Sequence, residues 1–197
     1  MIANECNRLA KVGFPVAVAC DLKTRLQQSA QDLRALLVTL PDHPAVTDVC
    51  DYTLGAYYGL GHAMSLGFVN RPGPWQSAYR PHLTQYVERM LKGMPVNRRW
   101  IAGFYFNSAI QRIAACFDRV PKLLKVGGKN AFKRMGAANT GSYTAWGKVY
   151  AEMNVYKHDP AGRAAGRTVT VEDAVAAFGE LVKLLKASET RLTDLYS

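Results

Sequence analysis

Between Asp21 and Thr39 the apolar positions Leu22, Leu26, Leu33, Leu36 and Leu37 recur at helical steps, with Lys23, Arg25, Gln28, Asp32 and Arg34 between them. That spacing gathers the leucines on one face of an α-helix, which has to stop before Pro41 because proline cannot continue the hydrogen-bond ladder. A shorter helix is predicted ahead of it, set off by Gly13 and Pro15.

Residues 52–69 read differently, since they hold no Lys, Arg, Asp or Glu. Four glycines, three tyrosines, His62, Thr53 and Ser65 make the run too weakly apolar for a bilayer, so it predicts a fully buried helix. Gly55, Gly59, Ala63 and Gly67 follow at four-residue steps and form a stripe of small residues that another helix can approach closely, within the subunit or across a dimer.

Further on, Asn70 to Pro74 reads as a loop, and a helix is predicted over Ser77–Lys92, ended by Gly93 and Pro95. The longest helix is predicted over 97–125, with Trp100, Phe104, Ile110, Ile113, Phe117, Val120 and Leu124 on its apolar face and Pro121 expected to kink or end it. Residues 126–141 combine glycine and asparagine breakers with Lys129, Lys133 and Arg134, a basic loop. A helix is predicted from Ser142 to His158, stopped by Asp159-Pro160. The last helix begins at Thr170, whose hydroxyl can cap it while Asp173 returns the bond, and is predicted to run on to about Leu195.

Period-two alternation is nowhere sustained, no hairpin signal joins two β-branched runs, and no repeat of fixed period occurs. The expected fold class is therefore all-α: a helical bundle of four main helices with one or two short additional helices, with residues 1–197 as a single domain.

Charge changes this picture more than composition does. The net charge of +10 is the sum of −1 over residues 1–70, +13 over 71–167 and −2 over 168–197. A basic stretch of that size can concentrate phosphate groups, and it can also serve as a solvated face. The opening residues lack a basic start, an apolar run and a small-residue cleavage site, so the chain is expected to be cytoplasmic and not to enter a membrane. Cys6, Cys20, Cys50 and Cys116 never form a Cys-x-x-Cys pair and read as thiols. His43, His62, His82 and His158 lack the close helical spacing of metal ligands, so neither a metal nor another cofactor is expected.

Candidate chemistry concentrates on the helix predicted over 142–158. Tyr143, Trp146, Tyr150, Asn154 and His158 line one side of it at steps of three or four. Aromatic rings can stack on bases, and an imidazole near neutral pKa can move protons. The same spacing is also that of a packed core face, and Lys157 and His158 at a helix C-terminus complement the helix dipole. On the helix predicted over 97–125, Asn107, Gln111 and Asp118 share a face and could fix the register against the 142–158 helix.

The stretch Met153-Asn154-Val155-Tyr156-Lys157-His158, the loop with Arg163 and Arg167, and the apolar helix from Val171 resemble the C-terminal half of HEPN domains. The helix containing Phe104-Tyr-Phe-Asn-Ser-Ala-Ile-Gln-Arg-Ile-Ala shares that resemblance. The resemblance implies a helical bundle, usually dimeric, and a metal-independent ribonuclease of a toxin, defence or RNA-processing system. Asn154 and His158 match the polar residue and the histidine of the family motif, while Met153 stands where the family has an arginine. In the mechanism so implied, His158 assists proton transfer around a ribose 2′-hydroxyl, with Asn154 beside it and Lys157, Arg163 or Arg167 supplying the missing cation. Lys129, Lys133, Arg134, Arg163, Arg167 and Tyr150 are the expected nucleic-acid contacts, with RNA as partner in a homodimer. Two other readings stand beside it. One is a non-catalytic module for nucleic acid or an acidic protein such as an antitoxin, and the other is a bundle with a small-ligand pocket.

Overall fold

The computed structural model describes residues 16–65, 98–127, 141, 144–150 and 169–197, and among these all regular structure is helical, without a strand. Helix α1 spans Val16–Thr39, α2 Pro44–Ser65, α3 Arg98–Leu123, α4 residues 144–150, α5 Val171–Ala187 and α6 Glu189–Tyr196. The all-α class is as expected from the periodicities. The helix predicted over Ser77–Lys92, the one ahead of α1 and most of the basic loop lie outside the described residues.

Helix α1 buries Leu22, Leu26, Ala30, Leu33 and Leu36, the leucine face read from the sequence with Leu37 at its edge. Leu40 N–H still reaches the Leu36 carbonyl at 3.0 Å, and the Thr39 hydroxyl shares that acceptor, before Pro41 ends the run.

Helix α2 starts earlier than its charge-free segment suggests. Pro44 takes the first helical position, where a missing N–H costs nothing, and His43 acts as the cap. The His43 carbonyl accepts from Val46 and Thr47 N–H at 2.9 Å, and its Nδ1 accepts from Ala45 N–H at 3.2 Å. The expectation of a fully buried helix is corrected here. Val46, Val49, Thr53, Ala56, Leu60 and Ala63 face the core, but Tyr58 is 54% exposed and His62 is also exposed. A segment without charges is not thereby buried on all sides, because tyrosine, histidine and glycine tolerate a wet edge. Among the described residues, no helix is long and apolar enough to cross a membrane.

Helix α3 carries its predicted apolar face into the core through Ile110, Ile113, Phe117 and Val120. Pro121 sits in its last turn, close enough to the end that the helix continues only to Leu123. The chain then leaves through a Schellman arrangement: Lys125 has φ 53°, its N–H bonds the Lys122 carbonyl at 3.0 Å, and Val126 N–H bonds the Pro121 carbonyl at 2.9 Å.

The most extensive helix pairing is that of α2 with α3, and it is antiparallel. Asp48 pairs with Arg119, Gly55 lies under Arg112, and the ring of His62 meets that of Tyr105 at 4.9 Å. Facing partners thus move seven residues up α2 as they move seven down α3, the two-turn step at which a helix returns to the same face. Gly59 is where the backbones approach most closely, since a Cβ there would stand 2.9 Å from the Tyr105 carbonyl oxygen and 3.0 Å from Ala109 Cβ. The small-residue stripe therefore serves packing inside the subunit, with Gly67 outside the described residues.

Helix α5 lies against α1, α2 and α3 and inserts Phe178, Leu181 and Leu185 into the same core cluster as Leu33, Leu60 and Phe117. Its predicted capping box is present: Thr170 Oγ1 accepts from Asp173 N–H at 3.0 Å, and Asp173 Oδ2 accepts from Thr170 N–H at 3.2 Å. The single helix expected to run to about Leu195 is instead broken at Ser188. The buried Ser188 hydroxyl donates back to the Leu184 carbonyl at 2.8 Å, a bond that competes with the ladder and bends the chain into α6. The bend lets Tyr196 donate its hydroxyl to the Leu123 carbonyl at 2.9 Å and lay its ring 4.5 Å from His43, closing the bundle end.

Candidate functional site

Of the residues singled out from sequence, Asn154, Lys157, His158, Lys129, Lys133, Arg134, Arg163 and Arg167 lie outside the described residues. Tyr150 lies within them. It is half-buried on α4 and stacks on Trp146 with ring centroids 4.8 Å apart and planes 24° from parallel.

Trp146 is held from the other side. Its indole N–H donates to Asp118 Oδ1 on α3 at 3.2 Å, while Val149 is fully buried one turn along. Burial pushes the Asp118 carboxyl above the usual carboxylate range, against the lowering influence of the Trp146 bond and of Lys122. One member of the expected polar register set therefore joins α3 to α4. Gln111 is exposed instead, and Asn107 is buried with its Nδ2 meeting no acceptor.

Between α4 and α5 lies an open groove of about 350 Å³, lined by Gly141, Thr144, Ala145, Lys148, Asp173, Ala176 and Glu180. Lys148 Nζ donates to Asp173 Oδ1 at 2.7 Å, and Lys183 Nζ donates to Glu180 Oε1 at 2.7 Å. Burial acts upward on Asp173, but the Lys148 and Thr170 bonds outweigh it and hold the carboxyl below the usual range. The same pair raises the Lys148 ammonium above its ordinary value. The groove's charges answer one another, which suits it to joining helices better than to holding a charged ligand.

Cys50 and Cys116 are free, buried thiols, each pushed up to about 11, mainly by burial. At neutral pH they stay protonated, and Cys116 Sγ lies 3.6 Å from the Val49 carbonyl and 3.5 Å from the Thr53 hydroxyl, as core packing. Among the described residues no three His, Cys, Asp or Glu side chains gather in a way that could hold a metal ion.

Sequence reasoning missed a different gathering, on the solvent side of the α2–α3 seam. The guanidinium of Arg119 lies 4.2 Å from the Tyr52 ring centroid and that of Arg112 lies 5.3 Å from it. Two arginines thus flank one half-buried tyrosine, an arrangement in which ring quadrupole and cation attract. The signal was the seven-residue step between Arg112 and Arg119, legible only once α2 is known to lie alongside.

Comparison of the chain with protein-family models, with curated proteins and with solved structures finds no match in any of the three.

Proposed function

We propose that this protein binds RNA through the basic middle of its chain and that it is HEPN-like, with His158 as general acid and base and Asn154 as its orienting partner. The observation that carries the reading is the +13 charge of residues 71–167, set between segments of −1 and −2. Neutralising phosphates with such a stretch releases counterions, so affinity for RNA falls steeply with added salt. Lys129, Lys133, Arg134, Arg163 and Arg167 supply the phosphate contacts, Tyr150 a stacking ring, and a homodimer follows from the family resemblance.

One feature favours a second reading. Met153 occupies the motif position where an arginine would stabilise charge on the phosphate, and a thioether cannot do that. The alternative is a non-catalytic module on which RNA, or an acidic antitoxin-like protein, docks.

His158→Ala separates the two. Loss of a proton-transfer group lowers a rate by about 10²–10⁴-fold, whereas loss of a helix-end charge costs about 0.3–1 kcal/mol of stability. With a chelator present, wild type is expected to cut RNA and leave ends formed by 2′-hydroxyl attack, while the variant binds but does not cut. A wild type that binds without cutting establishes the module.

A further inference from the structure

His43 stands where the α1–α2 turn, the start of α2 and the end of α6 meet, and the geometry around it calls for a neutral ring. Its own N–H donates to the Pro41 carbonyl at 2.9 Å, inside the turn. Its Nδ1 lies 3.2 Å from the nitrogen of Ala45, the second residue of α2, which is the reach of a helix cap. A backbone amide can only donate, so Nδ1 has to offer a lone pair and the ring proton has to sit on Nε2. The same ring meets that of Tyr196 on α6, with centroids 4.5 Å apart. Tyr196 in turn donates to the Leu123 carbonyl at 2.9 Å and has the Lys125 ammonium 5.8 Å from its ring centroid.

We infer that His43 is a pH-sensitive clasp at this end of the bundle: neutral, it caps α2 and seats Tyr196, and protonated, it gives up the cap and loosens the last turn of α6. The inference needs no ligand and stands apart from the RNA reading. Protonation places a hydrogen on Nδ1, donor facing donor across the bond to Ala45 N–H. It also sets a positive charge at the N-terminus of α2, the end of a helix that favours anions. The Tyr196 ring attracts a cation, but Lys125 already faces it, and a second cation there meets the first. Asp42, beside His43 in the turn, favours the charged ring, yet it is exposed and water screens it. Asp48, further along α2, is paired with Arg119, and residues 36–39 at the end of α1 carry no charge. The clasp therefore holds above the range in which histidine titrates and opens as pH falls through it.

Amide hydrogen exchange of the full chain, corrected at each pH for the intrinsic rate, tests the clasp at Ala45 and Tyr196. Between about pH 8 and about pH 5.5, on either side of the histidine range, protection at both amides is expected to fall about tenfold, the change that loss of a helix cap typically brings. His43→Asn supplies an amide oxygen that caps a helix and does not titrate. In that variant protection is expected to be independent of pH, at Tyr196 as at Ala45. A second measurement needs no variant: the ring nitrogen chemical shifts of His43 in the wild type are expected to show the proton on Nε2 at about pH 8. Unchanged protection in the wild type, an equal fall in His43→Asn, or a proton on Nδ1 at the higher pH overturns the clasp. A fall at Ala45 without one at Tyr196 overturns its hold on α6.

Discussion

Helices α4 and α2 each set an aromatic ring against charge, and they do so for opposite ends. On α4, Trp146 turns its N–H to Asp118, stacks on Tyr150 and fastens residues 144–150 to α3. On α2, Tyr52 turns its ring to Arg112 and Arg119, and the charges it holds remain at the solvent edge of the seam. Spacing alone offers the α4 rings as either a stacking face or a packed one, and the α2 tyrosines as core. What separates the two is the group across the helix interface. A carboxylate accepting an indole N–H consumes the polar end of the ring, whereas a guanidinium over a ring face does not spend its N–H donors on that ring, and Arg119 gives one of them to Asp48.

The largest effect expected from any single change falls on the seam. Gly59→Leu drives a side chain into the Tyr105 carbonyl and Ala109, backbone and core atoms that cannot swing away. A loss of about 1–3 kcal/mol or more is expected, measured as a lowered thermal midpoint. Gly55→Ala, four residues earlier on the same helix, meets side-chain atoms of Arg112 from Nη1 to Cδ and no backbone, and is expected to lower the midpoint much less. Equal destabilisation by the two would mean that Arg112 is a packing element, and the contrast between the regions would fail.

Next in size is the α4–α5 side. Thr170→Ala removes the hydroxyl that accepts from Asp173 N–H and donates to Asp173 Oδ2 at 3.0 Å, and should cost about 1 kcal/mol by denaturant titration. Thr170→Ser keeps both bonds and should restore most of it. No difference between the two variants would show that the cap contributes nothing beyond what Lys148 supplies to Asp173.

Much of the fold was legible because it is written in local pattern. The leucine face of α1, the apolar face of α3 and the Thr170/Asp173 box each depend on residues within a few positions of one another. The misjudged features depend on distant groups or on atypical caps. Histidine is not among the residues usually read as a helix cap, so the start of α2 at Pro44 was hidden. The break at Ser188 comes from one buried hydroxyl bonding backward, and a continuous apolar pattern gives no warning of it. The cation–ring group on the α2–α3 seam was not legible, because a glycine at 55 becomes informative only when Arg112 is found lying over it.

The smallest expected effect, and the one that compares the two sides most directly, is the pH dependence of two carboxylates. Asp118 lies above the usual range because burial penalises its charge more than Trp146 and Lys122 relieve it. Its folded form holds a proton more tightly than the unfolded chain does, so its contribution to stability falls as pH rises through its titration and stays lower above it. Asp173 is the reverse case. Burial raises it, the Lys148 and Thr170 bonds lower it further, and the net depression stabilises the fold above the unfolded pKa, a contribution lost as pH falls through the folded one. Water reaches both groups and limits each effect. Asp118→Asn keeps an acceptor for the indole N–H and removes the buried charge, so it should gain stability relative to wild type as pH rises from the acid range to neutrality. Asp173→Asn should lose stability over the same span, because Lys148 is left beside a neutral amide. Melting curves of the three proteins across that pH span give two difference slopes. Slopes of opposite sign confirm that Trp146 holds a reluctant carboxylate and Lys148 a willing one; slopes of the same sign would mean that the indole bond outweighs burial at Asp118 and that α4 is fastened at both points by the same kind of charge.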